Sequence, residues 1–316
     1  MPQEVGNALF ALQLPAGAVM PDMPPENPLT EVSVRLGKAL FIDTRLSRDG
    51  ALSCASCHHP DRAFSDTVAL SVGVEQRLGL RNAPSLGNVA YHDAFFRDGG
   101  VPNLEQQVLA PIHDENEMAH DITVVANTLR DIEPYKSLSM QAYGRSMDPY
   151  VITRAIANYE RTLISGWSRF DRYYYQSDAS ALTDAEVRGW QLFSSAELNC
   201  TACHSGFDLS DHDYANVGQY LDYGDDPGRE RITLQPGDVG KFKTPSLRNI
   251  ALTAPYMHDG ALATLDQVID HFASGGQAHP NRSPEMRNFV LTPEQKADLL
   301  AFLNALTDDR SLDQVP

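Results

Sequence analysis

All four cysteines of the chain belong to two copies of one short motif. The copies read Cys54-Ala-Ser-Cys57-His58 and Cys200-Thr-Ala-Cys203-His204. A histidine directly after a CxxC pair is the signature of covalent haem c attachment, because the thiols add to the haem vinyl groups and the imidazole then binds the iron. A four-ligand zinc clip or two disulfides are the alternatives, but neither requires this histidine in both copies. The motifs therefore predict two covalently bound haem c groups.

A second repeat follows each cysteine motif. Residues 84–90, PSLGNVA, reappear as residues 245–251, PSLRNIA. An Asp-Gly pair follows at the same spacing in both copies, at Asp98 and at Asp259. Self-similarity at this scale indicates duplicated structural units. The chain is therefore predicted to contain two homologous haem modules.

The elements that position these motifs are predicted to be mostly helices. Thr183, Thr264 and Thr292 each stand three residues before Glu or Gln, as in a capping box at a helix start. Alternating strand patterns are scarce, and Trp167 and Trp190 are interpreted as core residues. We predict a mostly α fold of two tandem cytochrome c-like domains, with the haems and a metal site near their interface. The predicted ranges are a Pro-rich N-terminal strap at 1–29, a first domain at 30–165 and a second domain at 180–310.

Composition narrows the possible partners. The chain of 316 residues has 25 basic and 42 acidic side chains, which gives a formal net charge of −17. Such a chain repels phosphate backbones and anionic lipids, so nucleic acid and membrane-surface partners are disfavoured. No apolar run is long enough for a membrane span. Because haem c is attached outside the cytoplasm, we expect a periplasmic, exported protein whose signal peptide is absent from this sequence.

The two modules differ in the helix that should cover the distal face of each haem. The first module has Gln107, Pro111 and, after a short loop, Glu117 in this region. The second module has Val268 and Phe272 at the positions equivalent to Gln107 and Pro111. One haem is thus predicted to have polar groups on its distal side and the other a mostly apolar cover. This asymmetry suggests a reactive haem in the first module and an electron-storing haem in the second.

Together these segments resemble the bacterial di-haem cytochrome c peroxidase and MauG superfamily over nearly the whole chain. The motifs that carry the resemblance are LGKALFIDTRLSRDGALSCASCH, RNAPSLGNVAY, CTACH and KTPSLRNIALTAPYMHDG. The Pro-rich strap and the segment PYMHDGALATLDQVIDHFASGG are most similar to the MauG-like (MbnH-type) branch. The resemblance implies that the haem of the first module reacts with peroxide and that the haem of the second transfers electrons.

The resemblance also implies roles for individual residues. It places Gln107, Pro111 and Glu117 in the distal pocket of the first haem. Glu117 is the candidate base that moves a proton between the peroxide oxygens. Gln107 would hydrogen-bond the bound oxygen, and Pro111 would keep bulky or ligating side chains away from the iron.

A calcium ion between the haems is a further implication of the resemblance. Its expected ligands are the side chain of Asn82, the backbone carbonyls of Thr253 and Pro255, and water. Oxygen ligands of this kind suit a hard cation.

Three features depart from the family pattern. The loop at 71–79 lacks the histidine that caps the resting iron in typical peroxidases, so the first haem is expected to be open. Phe272 replaces the Met or Tyr ligand of the second iron, which leaves that iron five-coordinate, water-bound or ligated by His271 or Met257. Arg97 stands where the family usually has a tryptophan between the haems, and a guanidinium offers no aromatic ring to relay electrons.

Three functions from different classes are compatible with these residues. The preferred one is a MauG-type oxidoreductase that uses hydrogen peroxide, forms high-valent iron and oxidises a Trp or Tyr residue of a partner protein. The second is a cytochrome c peroxidase that reduces hydrogen peroxide with electrons from a small donor protein. The third is a non-enzymatic di-haem electron carrier. The missing capping histidine and missing Met favour the first over the second, and Gln107 and Glu117 argue against the third.

Overall fold

The computed structural model describes residues 7–315, and it confirms a mostly helical fold with little strand. The helices, in chain order, are α1 (Glu31–Phe41), α2 (Leu104–Gln107), α3 (Leu109–His113), α4 (Ile122–Leu129), α5 (Tyr135–Tyr143), α6 (Pro149–Glu160), α7 (Arg169–Gln176), α8 (Asp184–Phe193), α9 (Glu230–Thr233), α10 (Leu265–Ser274) and α11 (Pro293–Ala305). The strands β1 (Tyr214–Ala215) and β2 (Phe242–Lys243) pair in antiparallel register, with Tyr214 opposite Lys243.

Each module is built on one pair of crossing helices. In the first module α1 packs against α6, and in the second α8 packs against α11. A Cβ atom at Gly37 of α1 would lie 1.9 Å from the Ala155 carbonyl oxygen, and one at Gly189 of α8 would lie 2.0 Å from the Asp298 carbonyl oxygen. Only glycine permits such close backbone approach. The duplication therefore extends to helices whose sequence similarity is confined to a few positions.

Two hydrophobic clusters correspond to the two modules. The first is formed by side chains between Leu29 and Leu163, and the second by side chains between Phe170 and Leu306. Leu312 and Val315 return to the first cluster, so the C-terminal tail crosses from the second module to the first.

The part of the N-terminal strap within residues 7–29 has no helix. It joins α1 through a bridge between Leu9 and Thr30, and Phe10 and Leu12 pack against the first cluster. Residues 1–6 of the predicted strap lie outside the described residues.

The predicted helix starts at Thr183, Thr264 and Thr292 are confirmed, each as a complete capping box. The prediction for the two tryptophans is wrong in part, because both are only half-buried. Trp190 packs against the second cluster, whereas Trp167 stacks beneath the guanidinium of Arg310, 3.3 Å from its ring centroid. Between residues 7 and 315, no helix is long and apolar enough to cross a lipid bilayer.

Candidate active site

Both CxxCH motifs form a short 3-10 turn that presents the histidine in the same way. Nδ1 of His58 lies 2.9 Å from the Phe64 carbonyl oxygen, and Nδ1 of His204 lies 3.0 Å from the Leu209 carbonyl oxygen. A hydrogen bond to a backbone carbonyl places the proton on Nδ1 and leaves Nε2 as a lone-pair donor. Both histidines therefore fit the role of axial iron ligand.

The four cysteines form no disulfide and are half-buried. Burial is the main cause that raises the pKa of the Cys57 and Cys203 thiols to about 11. Among the described residues, the one group of three potential metal ligands contains no cysteine. The described residues therefore do not gather the further ligands that a zinc clip would need at either motif.

The repeated PSL segments hold the loop that follows each axial histidine. Oγ of Ser85 donates to the Ala63 carbonyl oxygen at 2.5 Å, and Oγ of Ser246 donates to the Asp208 carbonyl oxygen at 2.8 Å. The carbonyl in each of these bonds belongs to the residue before the one that orients the histidine.

Two equivalent asparagines complete this support. Asn88 and Asn249 both adopt the left-handed conformation, with φ of 63° and 59°. The Asn88 side chain accepts from the Ser165 N–H at 2.8 Å, and the Asn249 side chain accepts from the Asp308 N–H at 2.8 Å. Asn tolerates positive φ better than other residues with a Cβ, so the repeat positions the same proximal scaffold twice.

The distal helix of the first module is interrupted where that of the second is continuous. Pro111 has no N–H to donate to the carbonyl of Gln107, and the helix is split at Val108 into α2 and α3. In the second module Phe272 occupies the equivalent position within the unbroken α10. Gln107, Pro111 and Glu117 therefore lie on a broken helix and the loop after it, whereas the equivalent stretch of the second module is one continuous helix.

Glu117 lies in this loop, which folds back on α3. The Met118 N–H donates to the Pro111 carbonyl oxygen at 3.1 Å, and the Glu117 N–H donates to that of Asp114 at 3.1 Å. Glu117 is exposed to solvent, yet the protein atoms around its carboxylate still desolvate it. This desolvation, with the nearby charge of Asp114, raises the pKa of Glu117 to about 7. A carboxylate with a pKa near neutrality can both accept and return a proton.

Glu117 is also close to the haem attachment motif. Its negative charge contributes to the raised pKa of the Cys57 thiol, although burial is the larger cause. The predicted base is therefore near enough to the first CxxCH motif for its charge to act on Cys57.

The loop at 71–79 is held against the loop that carries Glu117. The Val74 N–H donates to the Glu117 carbonyl oxygen at 2.8 Å, and the Gly73 N–H donates to the Arg77 carbonyl oxygen at 2.8 Å. A bridge between Val72 and Leu78 closes the turn. The segment that supplies a capping histidine in typical peroxidases is here a closed hairpin without one.

The second module offers few donors near Phe272. Its neighbour His271 is half-buried, and Nε2 of His271 lies 3.0 Å from the Val217 carbonyl oxygen. Consecutive helical residues point about 100° apart, so Phe272 and His271 cannot both face the haem. Met257 is half-buried and has a positive φ of 78°. The His271 imidazole is thus already engaged by the Val217 carbonyl.

Arg97 lies at the contact between the modules. Its Nε donates to the Asn82 carbonyl oxygen at 2.9 Å, and its Nη2 donates to Oδ1 of Asn82 at 2.7 Å. Burial lowers the pKa of Arg97 to about 10, and the charge of Arg81 contributes. At neutral pH the guanidinium is nevertheless protonated, so Arg97 places a positive charge between the modules.

This arrangement does not fit the predicted calcium ion. Oδ1 of Asn82, the expected ligand, already accepts from the Arg97 guanidinium, and the Asn82 amide nitrogen donates to the Val68 carbonyl oxygen at 3.1 Å. A calcium ion on this oxygen would lie beside a fixed positive charge. The Asn82 side chain therefore binds Arg97. The backbone carbonyls of Thr253 and Pro255 then lack the side-chain ligand that was predicted to complete the calcium site.

An aromatic pair lies next to Arg97. The Phe242 and His258 rings stack with centroids 3.9 Å apart and planes inclined by 15°. The Asn82 N–H donates to the His258 carbonyl oxygen at 2.8 Å, and the Lys243 N–H donates to that of Arg97 at 2.7 Å. Sequence reasoning missed this pair, because Phe242 and His258 are 16 residues apart and nothing in the sequence indicates that their rings stack.

Glu160 is a second residue that sequence reasoning missed. It is 4% exposed at the end of α6, and its Oε2 has no hydrogen-bond partner among the described residues. Burial raises the pKa of Glu160 to about 8, and its charge contributes to the raised pKa of the Cys54 thiol. The only sequence signal is an acidic residue at the end of an otherwise apolar helix face.

Comparison with known proteins agrees with this geometry. A sequence model of the di-haem cytochrome c peroxidase family matches residues 31–179, and one of cytochrome c matches residues 186–307. The chain is 38% identical over 288 residues to the methylamine utilization protein MauG of Methylorubrum extorquens, covering 90% of this chain and 80% of that protein. It is 32% identical over 315 residues to the cytochrome c551 peroxidase of Nitrosomonas europaea, covering 96% and 89%.

A solved structure is similar over nearly the entire fold. It is a MauG-like protein associated with microbial copper homeostasis, with a TM-score of 0.91 and 35% sequence identity, and the match covers 97% of this chain and 98% of that one. Two cytochrome c-like domains of this family carry haem c, and its members are peroxide-using oxidoreductases. Together, the paired CxxCH motifs, the repeated proximal scaffold and these relatives show that the chain belongs to the di-haem cytochrome c peroxidase/MauG family.

Proposed function

We propose that the protein is a MauG-type enzyme that uses hydrogen peroxide to oxidise a Trp or Tyr side chain of a partner protein. In each turnover one hydrogen peroxide takes up two electrons and two protons to become two waters, and the partner's side chain, which is oxidised, supplies both the electrons and the protons. The chemistry that a bound haem c supplies is peroxide binding and oxidation at the iron. The observation that carries the proposal is the difference between the distal sides of the two modules.

The residues of the first module would handle the protons. Glu117, with its pKa raised to about 7, would take the proton from the inner peroxide oxygen and deliver it to the outer one. Gln107 at the end of α2 would hydrogen-bond the oxygen that remains. Pro111 prevents a continuous helix from placing a large side chain there.

The closed hairpin at 71–79 supports the choice of the MauG type over a typical peroxidase. Without a histidine in this loop, the protein has no side chain there that must leave the first iron before peroxide binds. The second module, with Phe272 in the unbroken α10, would hold one oxidising equivalent until the partner supplies an electron.

The partner is expected to dock by charge. The net charge of −17 favours a protein with a neutral or basic docking surface. Because haem c is attached outside the cytoplasm, we propose a periplasmic location for both proteins.

Steady-state kinetics with hydrogen peroxide and reduced cytochrome c would test this function. The MauG-type proposal predicts little oxidation of the donor, together with a prompt peroxide-dependent change in the spectra of both haems. Rapid turnover of reduced cytochrome c would instead support a cytochrome c peroxidase, the second candidate, which the peroxidase relatives favour.

Electron paramagnetic resonance of the resting protein would separate both enzymes from an electron carrier. An open first haem gives a high-spin ferric signal, whereas a carrier with two six-coordinate irons gives none. Absence of that signal would contradict the proposed enzyme.

A further inference from the structure

Side chains from both modules meet in a small cluster away from the distal pocket. Donor atoms of His92, Asp208 and His212 all lie within 4.8 Å of one another. Nε2 of His212 is 3.0 Å from Oδ2 of Asp208, and Nε2 of His92 is 3.5 Å from the same oxygen. The Asp208 side chain is 5% exposed, and each imidazole is 17% exposed. The cluster joins the first module to the second, because His92 comes from one and the other two residues from the other.

We propose that His92, Asp208 and His212 bind a divalent transition-metal ion of the zinc type, separate from the haem irons. Ligand atoms about 2.0–2.2 Å from a tetrahedral zinc ion lie about 3.3–3.6 Å from one another. The two His-to-Asp distances, 3.0 and 3.5 Å, are close to this spacing before any ion draws the ligands into place. Two imidazoles and one carboxylate are a ligand set that suits such metals.

The hydrogen bonds of the described residues do not account for the Nε2 atom of His92. Its Nε2 is buried and has no hydrogen-bond partner in the part of the chain that the structure describes. Native structures rarely leave a buried polar atom without a partner.

Asp208 is held in position by residues behind it. Nδ2 of Asn88 donates to Oδ1 of Asp208 at 2.8 Å, and Oγ of Ser246 donates to the same oxygen at 3.0 Å. These contacts leave Oδ2 directed at the two imidazoles. Such outer contacts commonly orient metal ligands.

Arg248, a second positive charge near Asp208, is paired with Asp171, which leaves Lys243 as the charge that would oppose a metal ion. Its ammonium group donates to the Ala94 carbonyl oxygen, and burial lowers its pKa to about 8. Because its pKa is lowered, part of this charge is lost at alkaline pH, and metal binding is therefore measured at pH 8.

A metal ion at this site would stabilise the loop that orients the iron-binding histidine of the second module. Asp208 precedes Leu209, whose carbonyl oxygen orients the axial histidine His204. An ion bound to Asp208 and to His92 would tie this loop directly to the first module. The equivalent position in the first module is Ala63, so the cluster is a feature of only one copy of the repeat.

Metal analysis of the haem-loaded protein tests the proposal. The protein is treated with a chelator, incubated with Zn²⁺ alone at pH 8 and dialysed, and its zinc is compared with its haem iron. We expect one zinc for every two irons. His92→Ala and His212→Ala should each lower retained zinc at least tenfold, whereas His113→Ala, which removes an exposed histidine, should retain it in full.

The main test uses the wild-type protein, so its result does not depend on whether a variant folds. No retained zinc in the wild-type protein, or equal loss in His113→Ala and His212→Ala, would overturn it. Calorimetric titration with Zn²⁺ gives a second readout, for which we expect one binding event per chain in the wild type and none in His212→Gln.

Discussion

The two haem modules share their proximal side and differ on their distal side. In both, a serine of the PSL segment supports the loop after the axial histidine, and an asparagine with positive φ anchors that segment. On the distal side, Pro111 splits the helix of the first module, whereas α10 of the second runs unbroken past Phe272. The comparison teaches that the half of each module next to the CxxCH motif is held alike in both copies, whereas the distal helices differ, and the proposed reactivity belongs to this differing half.

The contact between the modules belongs neither to the shared proximal side nor to the differing distal side. Arg97 supplies a positive charge there, and its hydrogen bonds to Asn82 engage the oxygen that calcium would need. The stack of Phe242 on His258 is adjacent to it. Single residues thus make the contact between the two duplicated modules asymmetric.

Replacing the proposed base should have the largest effect on this comparison. Glu117→Gln removes the group that accepts a proton, and we expect the rate of the peroxide reaction to fall by about 10²–10⁴-fold. Stopped-flow absorbance after mixing with peroxide measures it. Glu115→Gln is the matched control, because the Glu115 side chain is 85% exposed. An unchanged rate in Glu117→Gln would exclude Glu117 as the base.

The shared scaffold should make both modules equally sensitive to loss of its asparagine. Asn88→Ala and Asn249→Ala each remove two side-chain hydrogen bonds and leave alanine at positive φ. We expect each to lower the free energy of unfolding by about 2–4 kcal/mol. Denaturant titration measures this, with the exposed Asn304→Ala as control. A large loss of unfolding free energy in only one of the two variants would show that the scaffolds are not equivalent.

The pH dependence of the peroxide reaction should report the pKa of Glu117. A base must be deprotonated to act, so the rate should rise with pH up to about 7 and then level off. Below that value it should fall by about tenfold per pH unit. The same stopped-flow assay across pH measures it. In Glu117→Gln this inflection should disappear, and its persistence would assign it to another group.

A donor atom at Phe272 should change the second haem and not the first. Phe272→Met places a thioether in the distal helix of the second module, where we expect a low-spin signal and a raised reduction potential. Electron paramagnetic resonance and redox titration measure these changes. Phe272→Leu, which adds no donor, should leave both unchanged. If the methionine variant behaves like the leucine variant, Phe272 does not face the iron.

The smallest effect is expected from removing calcium. Because Arg97 engages Oδ1 of Asn82, treatment with a calcium chelator should leave the peroxide reaction and both haem signals unchanged. Loss of reactivity that added calcium restores would show that Asn82 binds calcium after all. Arg97→Gln, which removes the competing charge, is the variant in which a calcium requirement should emerge.

Much of the fold could be predicted from local patterns. The capping boxes at Thr183, Thr264 and Thr292 require only residues three positions apart, and all three form. The half-burial of Trp167 could not be predicted, because it depends on Arg310 from the far end of the chain. The crossing at Gly37 and Gly189 was also missed, since a glycine within a helix has no local signature of a close contact.

By itself, the sequence determined the covalent chemistry and the duplication. The CxxCH spacing specifies haem attachment at His58 and His204 because those bonds form between neighbouring residues. Only the tertiary structure decided what surrounds them. The guanidinium of Arg97 on Asn82, the raised pKa of Glu117 and the meeting of His92 with Asp208 all depend on distances between segments remote in the chain. Burial and charge act through space, so their effects appear once the modules are packed together.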